Sequence, residues 1–203
     1  MLQTYQHIWL CGLAASGKTT LLQWLHKKYP SVNFLNDSQE TVEFIRNDTE
    51  CKHHTKPSLD TFLLIDSVVA HYSVKSLIGK VASSNQINII ELSRGCDQKK
   101  VVDFSYSYLF SQLPEEIMRN SLFVYVYSPY ASRLKRNSNR SLLPKKKFNV
   151  FSSFYCPEEA MERFFQSDDF FEAIKDHPVD SLVLSNIYSL DDYYSKIGQL
   201  FRS

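Results

Sequence analysis

Apolar runs of strand length alternate along this chain with longer stretches of helical spacing. HIWLC at 7–11, VNFL at 32–35, INIIEL at 87–92, SLFVYVYS at 121–128 and SLVLSN at 181–186 are each short and rich in aliphatic residues, as buried strands are. Leu21, Leu22, Trp24 and Leu25 precede KKYP, so Pro30 ends a helix running from about Lys18 to Tyr29. Residues 46–58 are polar and read as a loop. Asp60 is placed to cap a long helix over 60–82, where Phe62, Ile65, Val69, Tyr72, Leu77, Ile78 and Val81 recur at helical intervals. Helices are also predicted over 100–118 with a break at Pro114, after Pro129, over 157–176 and over 190–202. Strands separated by helices imply an α/β fold of three layers, with a roughly five-stranded parallel sheet covered on both faces. The chain shows no repeat and no linker, which predicts one domain over 1–203.

The junction of the first strand and first helix carries the sharpest signal. GLAASGKT, Gly12 to Thr19, fits G-x-x-x-x-G-K-[ST] between a strand and a helix, the setting in which that pattern cradles phosphates. Backbone N–H groups from about Ala14 to Thr19 can point at phosphate oxygens, and the helix start adds its positive dipole end. The nucleotide-binding set is therefore Gly12, Ala14, Ala15, Ser16, Gly17, Lys18, Thr19 and Thr20. Lys18 brings a positive charge to the β and γ phosphates, and the Thr19 hydroxyl belongs in a Mg²⁺ shell.

Composition narrows the remaining choices. At 203 residues, with 43% hydrophobic and 22% charged residues, the chain can build a substantial core unaided. A formal net charge of +1 provides no global attraction to nucleic acid or anionic membrane, which argues against both as partners. Cysteines 11, 51, 96 and 156 have no metal or disulfide spacing, which predicts reduced thiols in a cytoplasmic protein. The apolar run 62–70 contains Asp66 and is too short to span a bilayer.

Further candidates stand at predicted strand ends. Glu91 closes an apolar strand, where a carboxylate can hold Mg²⁺ or its water; Asp66 in FLLID is the competitor. Arg94, three residues on, faces the same crevice and can either fork onto an acceptor or pair with Glu91. Asp37 follows the second strand and can orient or deprotonate an acceptor hydroxyl, although NDSQE also suits a helix start. Arg133, Arg136 and Arg140 fall on one face of a helix and suit charge in a phosphoryl-transfer transition state. They open a basic, lid-like segment over 133–150 that includes Lys145 to Lys147. The aromatic insert 148–178, with Phe148, Phe151, Phe154, Tyr155, Phe164, Phe165, Phe170 and Phe171, is predicted to pack in the core rather than stack on a base. His53 and His54 fit no ligand pattern.

The order of GLAASGKTT at 12–20, FLND at 34–37, IIELSRG at 89–95 and VYVYSPYASRLKRNSNR at 124–140 resembles the P-loop kinases of small molecules, the nucleoside, nucleotide and shikimate kinase superfamily. The closing SLVLSNIYSLDDYYSKI is similar to their last strand and helix. This resemblance implies an ATP- and Mg²⁺-dependent phosphotransferase with a small-molecule phosphoryl acceptor. Thr19 and Glu91 would hold the metal, Asp37 or Glu91 would orient the acceptor, and Lys18, Arg94, Arg133, Arg136 and Arg140 would complete the catalytic set. The Asp-Arg pair of thymidylate kinases and the Asp-Gly-Phe-Pro-Arg of adenylate kinases are missing, so the acceptor stays open. A nucleotide-dependent switch and a nucleic-acid-directed kinase are the alternatives. Absence of N-K-x-D argues against a GTPase of the usual kind.

Overall fold

The computed structural model describes residues 4–58, 61–141, 150–151, 155–187 and 189–202. In chain order the elements begin with β1 (His7–Cys11), α1 (Lys18–Lys28), β2 (Asn33–Asn36) and α2 (Asp37–Asn47). β3 (His54–Ser58), β4 (Thr61–Leu64), α3 (Val68–Ala82) and β5 (Asn88–Glu91) follow. Next come α4 (Tyr106–Gln112), α5 (Glu115–Arg119), β6 (Ser121–Tyr127) and α6 (Tyr130–Ser141). The chain closes with α7 (Glu158–Phe164), α8 (Phe170–Ile174), β7 (Asp180–Ser185) and α9 (Leu190–Arg202).

Five strands form one parallel sheet in the order β2-β5-β1-β6-β7. Side chains alternate across a strand, and the core divides accordingly. Trp9, Cys11, Ile90, Phe123 and Tyr125 face Val74, Leu77 and Val81 of α3, with α4 and α8 alongside. Ile8, Leu10, Ile89, Val124 and Leu184 face Leu21, Leu22 and Leu25 of α1 and Tyr193 and Ile197 of α9. These two apolar layers make the three-layer α/β/α arrangement. β1 lies at the centre, with β5 on one side and β6 on the other, so the strand order reverses around it. Ligands of open α/β sheets bind at such a point, beyond the carboxyl ends of the strands.

Between positions 37 and 67 the structure departs from the periodicity. A helix occupies Asp37–Asn47, and the β3–β4 hairpin replaces both the predicted loop and the first turn of the predicted long helix. Asp60 lies outside the described residues, and α3 starts only at Val68. Phe62, Leu63 and Leu64 are apolar at consecutive positions, and so short a run fits a strand as well as a helix. Tertiary contact decides it: Leu63 and Leu64 enter a third apolar cluster with Val69, Met161, Phe164 and Phe165. His53 and His54 fasten this region, through Nδ1 contacts to Asp66 Oδ2 at 2.7 Å and Asp48 Oδ2 at 2.9 Å.

The turn after β5 is pressed against α7. A Cβ added to Gly95 would stand 1.9 Å from the Phe164 carbonyl oxygen, so main chain would have to move. Gly95→Ala is therefore expected to destabilise the protein by about 1–3 kcal/mol, the usual range for overpacking. Equilibrium denaturation checks this, and an unchanged midpoint would contradict the close approach.

Candidate phosphate-binding and acceptor site

Strand register assembles the site. Leu10 and Asn36 both pair with Glu91, and Cys11 pairs with Tyr125, so β1, β2, β5 and β6 end at nearly one level. Gly12, Asp37 and Glu91 consequently meet at that edge.

The loop after β1 is held from several sides. Gly12 has φ +134°, and an added Cβ would lie 2.6 Å from the Val126 carbonyl oxygen, so only glycine fits there. Its amide donates to Tyr106 Oη at 2.5 Å. Arg136 Nη1 donates to the carbonyls of Ala15 at 2.9 Å and Ser16 at 3.1 Å, while Nη2 reaches the Asn186 carbonyl at 3.1 Å. Asn186 Nδ2 donates to Ser16 O at 2.6 Å, and Tyr193 Oη donates to Gly17 O at 3.2 Å. Drawing loop carbonyls outward turns the amides that follow them the opposite way, because C=O and N–H oppose each other across a trans peptide. α1 then begins at Lys18.

Lys18 is 2% exposed, and its Nζ donates to Gly12 O at 2.7 Å and Leu13 O at 2.8 Å. Burial pushes its pKa down to about 8, against the opposing pull of Glu91 and Asp37. Thr19 Oγ1 donates to Glu91 Oε1 at 2.8 Å, and Asn36 Nδ2 donates to Glu91 Oε2 at 3.2 Å. Burial pushes Glu91 up to about 7, opposed first by Lys18 and then by the Thr19 hydroxyl. Asp66, the competing carboxylate, is occupied at the hairpin with His53 and the Val68 amide.

The predicted arginines divide. Arg140 lines the cavity, and its charge is felt by both Lys18 and Glu91. Arg133 and Arg136 are not on the cavity wall. Arg133 is buried, donating to Ser128 O at 3.1 Å and Phe165 O at 2.6 Å, and Arg136 binds the loop carbonyls. Peptide oxygens of the loop and of the segment after α7 draw both guanidinium groups away from the cavity. Arg94 is likewise turned inward, with Nη2 donating to Ser73 Oγ at 2.9 Å and lying 3.5 Å from Asp37 Oδ2. It meets neither an acceptor space nor Glu91. Lys145 to Lys147 lie outside the described residues.

Asp37 is both the first residue of α2 and part of the cavity wall; Asn36 caps that helix by accepting from Ser38 N at 2.7 Å. Its Oδ2 accepts from Ser93 N at 3.1 Å. Burial raises the Asp37 pKa, and Arg94 opposes the rise. Ala14 to Thr19 line the cavity with Asp37, Glu91 and Arg140, whereas Gly12 and Thr20 stand behind the wall. The cavity holds about 180 Å³. Phe164 and Phe165 belong both to the core, as their composition predicts, and to this wall; Phe148 and Phe154 lie outside the described residues.

Four supporting residues escape sequence reasoning: Asn36, Tyr106, Asn186 and Tyr193. Asn36 and Asn186 do carry a readable signal, since each closes a parallel strand at the edge where ligands bind. Tyr106 carries none, because a tyrosine opening a helix 94 residues from its partner looks like any core aromatic.

No protein-family model matches the sequence, and no curated protein is similar to it. Solved structures do align. A putative kinase from Chloroflexus aurantiacus superposes with a TM-score of 0.55 at 14% identity, covering 98% of each chain. A gluconokinase from Sinorhizobium meliloti 1021 gives 0.50 at 12% identity, covering 98% of this chain and 94% of that one. An unliganded sugar kinase from Janibacter sp. HTCC2649 gives 0.50 at 14% identity, covering 94% and 90%. Identities this low speak to architecture alone: the chain shares the three-layer α/β fold of these structures, with the G-x-x-x-x-G-K-[ST] loop between β1 and α1.

Proposed function

We propose that this protein is an ATP- and Mg²⁺-dependent phosphotransferase acting on a hydroxyl of a small molecule. One observation carries the reading: Lys18, Thr19, Glu91, Asp37 and Arg140 converge from four separate segments on one cavity at the switch point of the sheet. The three-layer fold with its β1–α1 loop supports it.

In this reading the amides that follow Ala15 and Ser16, together with Lys18, bind the β and γ phosphates. Thr19 Oγ1 and Glu91 Oε1, 2.8 Å apart, fit one magnesium ion. Hard cations of this size take oxygen donors, and such sites use one or two protein ligands beside phosphate and water. When bound, the ion supplies neutralisation of phosphate charge. Arg140 adds positive charge on the same side. Such catalysis is mostly positioning and electrostatics.

With Glu91 assigned to the metal beside Thr19, Asp37 is the other carboxylate among the described lining residues and serves the acceptor. The acceptor oxygen forms a bond to the γ-phosphorus, the bond to the β–γ bridging oxygen breaks, and ADP leaves. Asp37 takes the hydroxyl proton. Arg94, behind Asp37, and the Ser93 amide hold that carboxylate in place.

Lys18→Met is expected to lower phosphotransfer by about 10²–10³-fold, the range for loss of one preorganised donor. Asp37→Asn should lower kcat by about 10²–10⁴-fold, the range for a general base, with nucleotide affinity largely kept. Coupled ADP-release assays and calorimetry measure both. Absence of heat for both ATP and GTP in the presence of magnesium would overturn the reading.

The pH dependence has a definite sign. The protonated Lys18 binds the polyanion, so its contribution to affinity is kept below about pH 8 and is lost above it. The loss approaches tenfold per pH unit once the free amine dominates. Calorimetry across that range should show the loss in the parent protein and none in Lys18→Met.

A further inference from the structure

The acceptor end of the cavity differs sharply from its phosphate end. Phe62, Leu63 and Leu64 of β4, Phe104, and Phe164 and Phe165 at the end of α7 line that part, where Thr61 and Tyr155 add hydroxyl groups. Leu63, Leu64, Phe164 and Phe165 are buried, in the same cluster that anchors the hairpin to α7. Among the described lining residues the cations are Lys18 and Arg140, and both lie within electrostatic reach of Glu91. The carboxylates are Asp37 and Glu91.

Two more arginines approach this region without entering it. The Arg94 guanidinium sits 4.6 Å from the Phe104 ring centre, engaged with Ser73 and Asp37. The Arg163 guanidinium sits 4.6 Å from the Phe164 ring centre, with Nε 2.7 Å from Asp97 Oδ1 and Nη2 2.8 Å from Asp97 Oδ2. Each is pinned by a carboxylate behind an aromatic ring, and the ring rather than the cation meets the cavity. A carboxylate or phosphate on the acceptor would meet apolar rings and Asp37 here, and among the described lining residues the only counter-charges are Lys18 and Arg140, beside Glu91. Burying a charge unpaired is strongly unfavourable.

Size sets a second limit. A cavity of about 150 Å³ lined by Leu, Ile and Phe holds one benzene ring. The 180 Å³ here also includes the space beside the phosphate loop.

We infer that the acceptor is an uncharged alcohol built on a single hydrocarbon ring, that ring against the phenylalanine wall and its hydroxyl at Asp37. This rests on the phosphotransferase reading and adds the substrate class.

The full chain with Mg·ATP is assayed against benzyl alcohol, cyclohexylmethanol, glucose, gluconate, shikimate and AMP, and thermal shift follows acceptor binding separately. The ring alcohols are expected to exceed the three anions in kcat/KM at least tenfold. Val42→Lys places an ammonium group on the same wall, at a half-buried position of α2, and should narrow that gap by improving gluconate. Equal or better turnover of gluconate, shikimate, AMP or glucose in the parent protein overturns the proposal and leaves phosphotransfer intact. If nothing is phosphorylated but benzyl alcohol raises the melting temperature, and Val42→Lys reduces that rise, the acceptor class holds and phosphotransfer falls. If the ring alcohols neither react nor bind, the acceptor class falls.

Discussion

A buried ammonium group is costly, and the carboxyl edge of this sheet is arranged around one. Lys18 is almost wholly withdrawn from water, and what offsets its desolvation is close at hand: two loop carbonyls and the charges of Glu91 and Asp37. The balance is incomplete, since Lys18 loses its proton more readily than a free lysine and Glu91 holds its own more firmly than a free glutamate. A polyanion entering the loop would relieve Lys18 directly. Thr19 ties the helix that carries Lys18 to the strand that carries Glu91, so this electrostatic arrangement also fixes the relation of α1 to β5.

A second layer of side chains acts on backbone rather than on ligand. Tyr106, Arg136, Asn186 and Tyr193 come from α4, α6, the end of β7 and α9, and all of them bind main-chain atoms between Gly12 and Gly17. A glycine-bearing loop has many accessible conformations, and anion binding by amides requires that one be selected beforehand. Partners from distant elements achieve that. Arg136 accordingly earns its position through carbonyls on the outer side of the loop, and Arg133 similarly joins α6 to the segment after α7.

Charge is distributed unevenly over the cavity. Near the loop, cations and anions alternate at short range; near α7 and β4, aromatic and aliphatic side chains prevail and nearby arginines are sequestered by Asp37 and Asp97. The β3–β4 hairpin supplies much of the apolar half. It stands outside the main sheet, and its apolar packing against α7 and α3 joins it to the rest.

Local chemistry by itself determined the strands of the main sheet, the α1 helix and the phosphate loop, because strand runs, a proline stop and a glycine-lysine pattern are written in adjacent residues. It also singled out Lys18, Thr19, Glu91 and Asp37, since a carboxylate or loop at a parallel strand's carboxyl end has few other places to face. Tertiary structure alone decided the hairpin at 54–64, where a short apolar run suits strand and helix equally until Met161, Phe164 and Phe165 pack on it. It also decided which arginines reach the cavity. A long side chain goes to whatever unsatisfied oxygen the fold brings near, and the helical spacing of Arg133, Arg136 and Arg140 holds no information about those carbonyls.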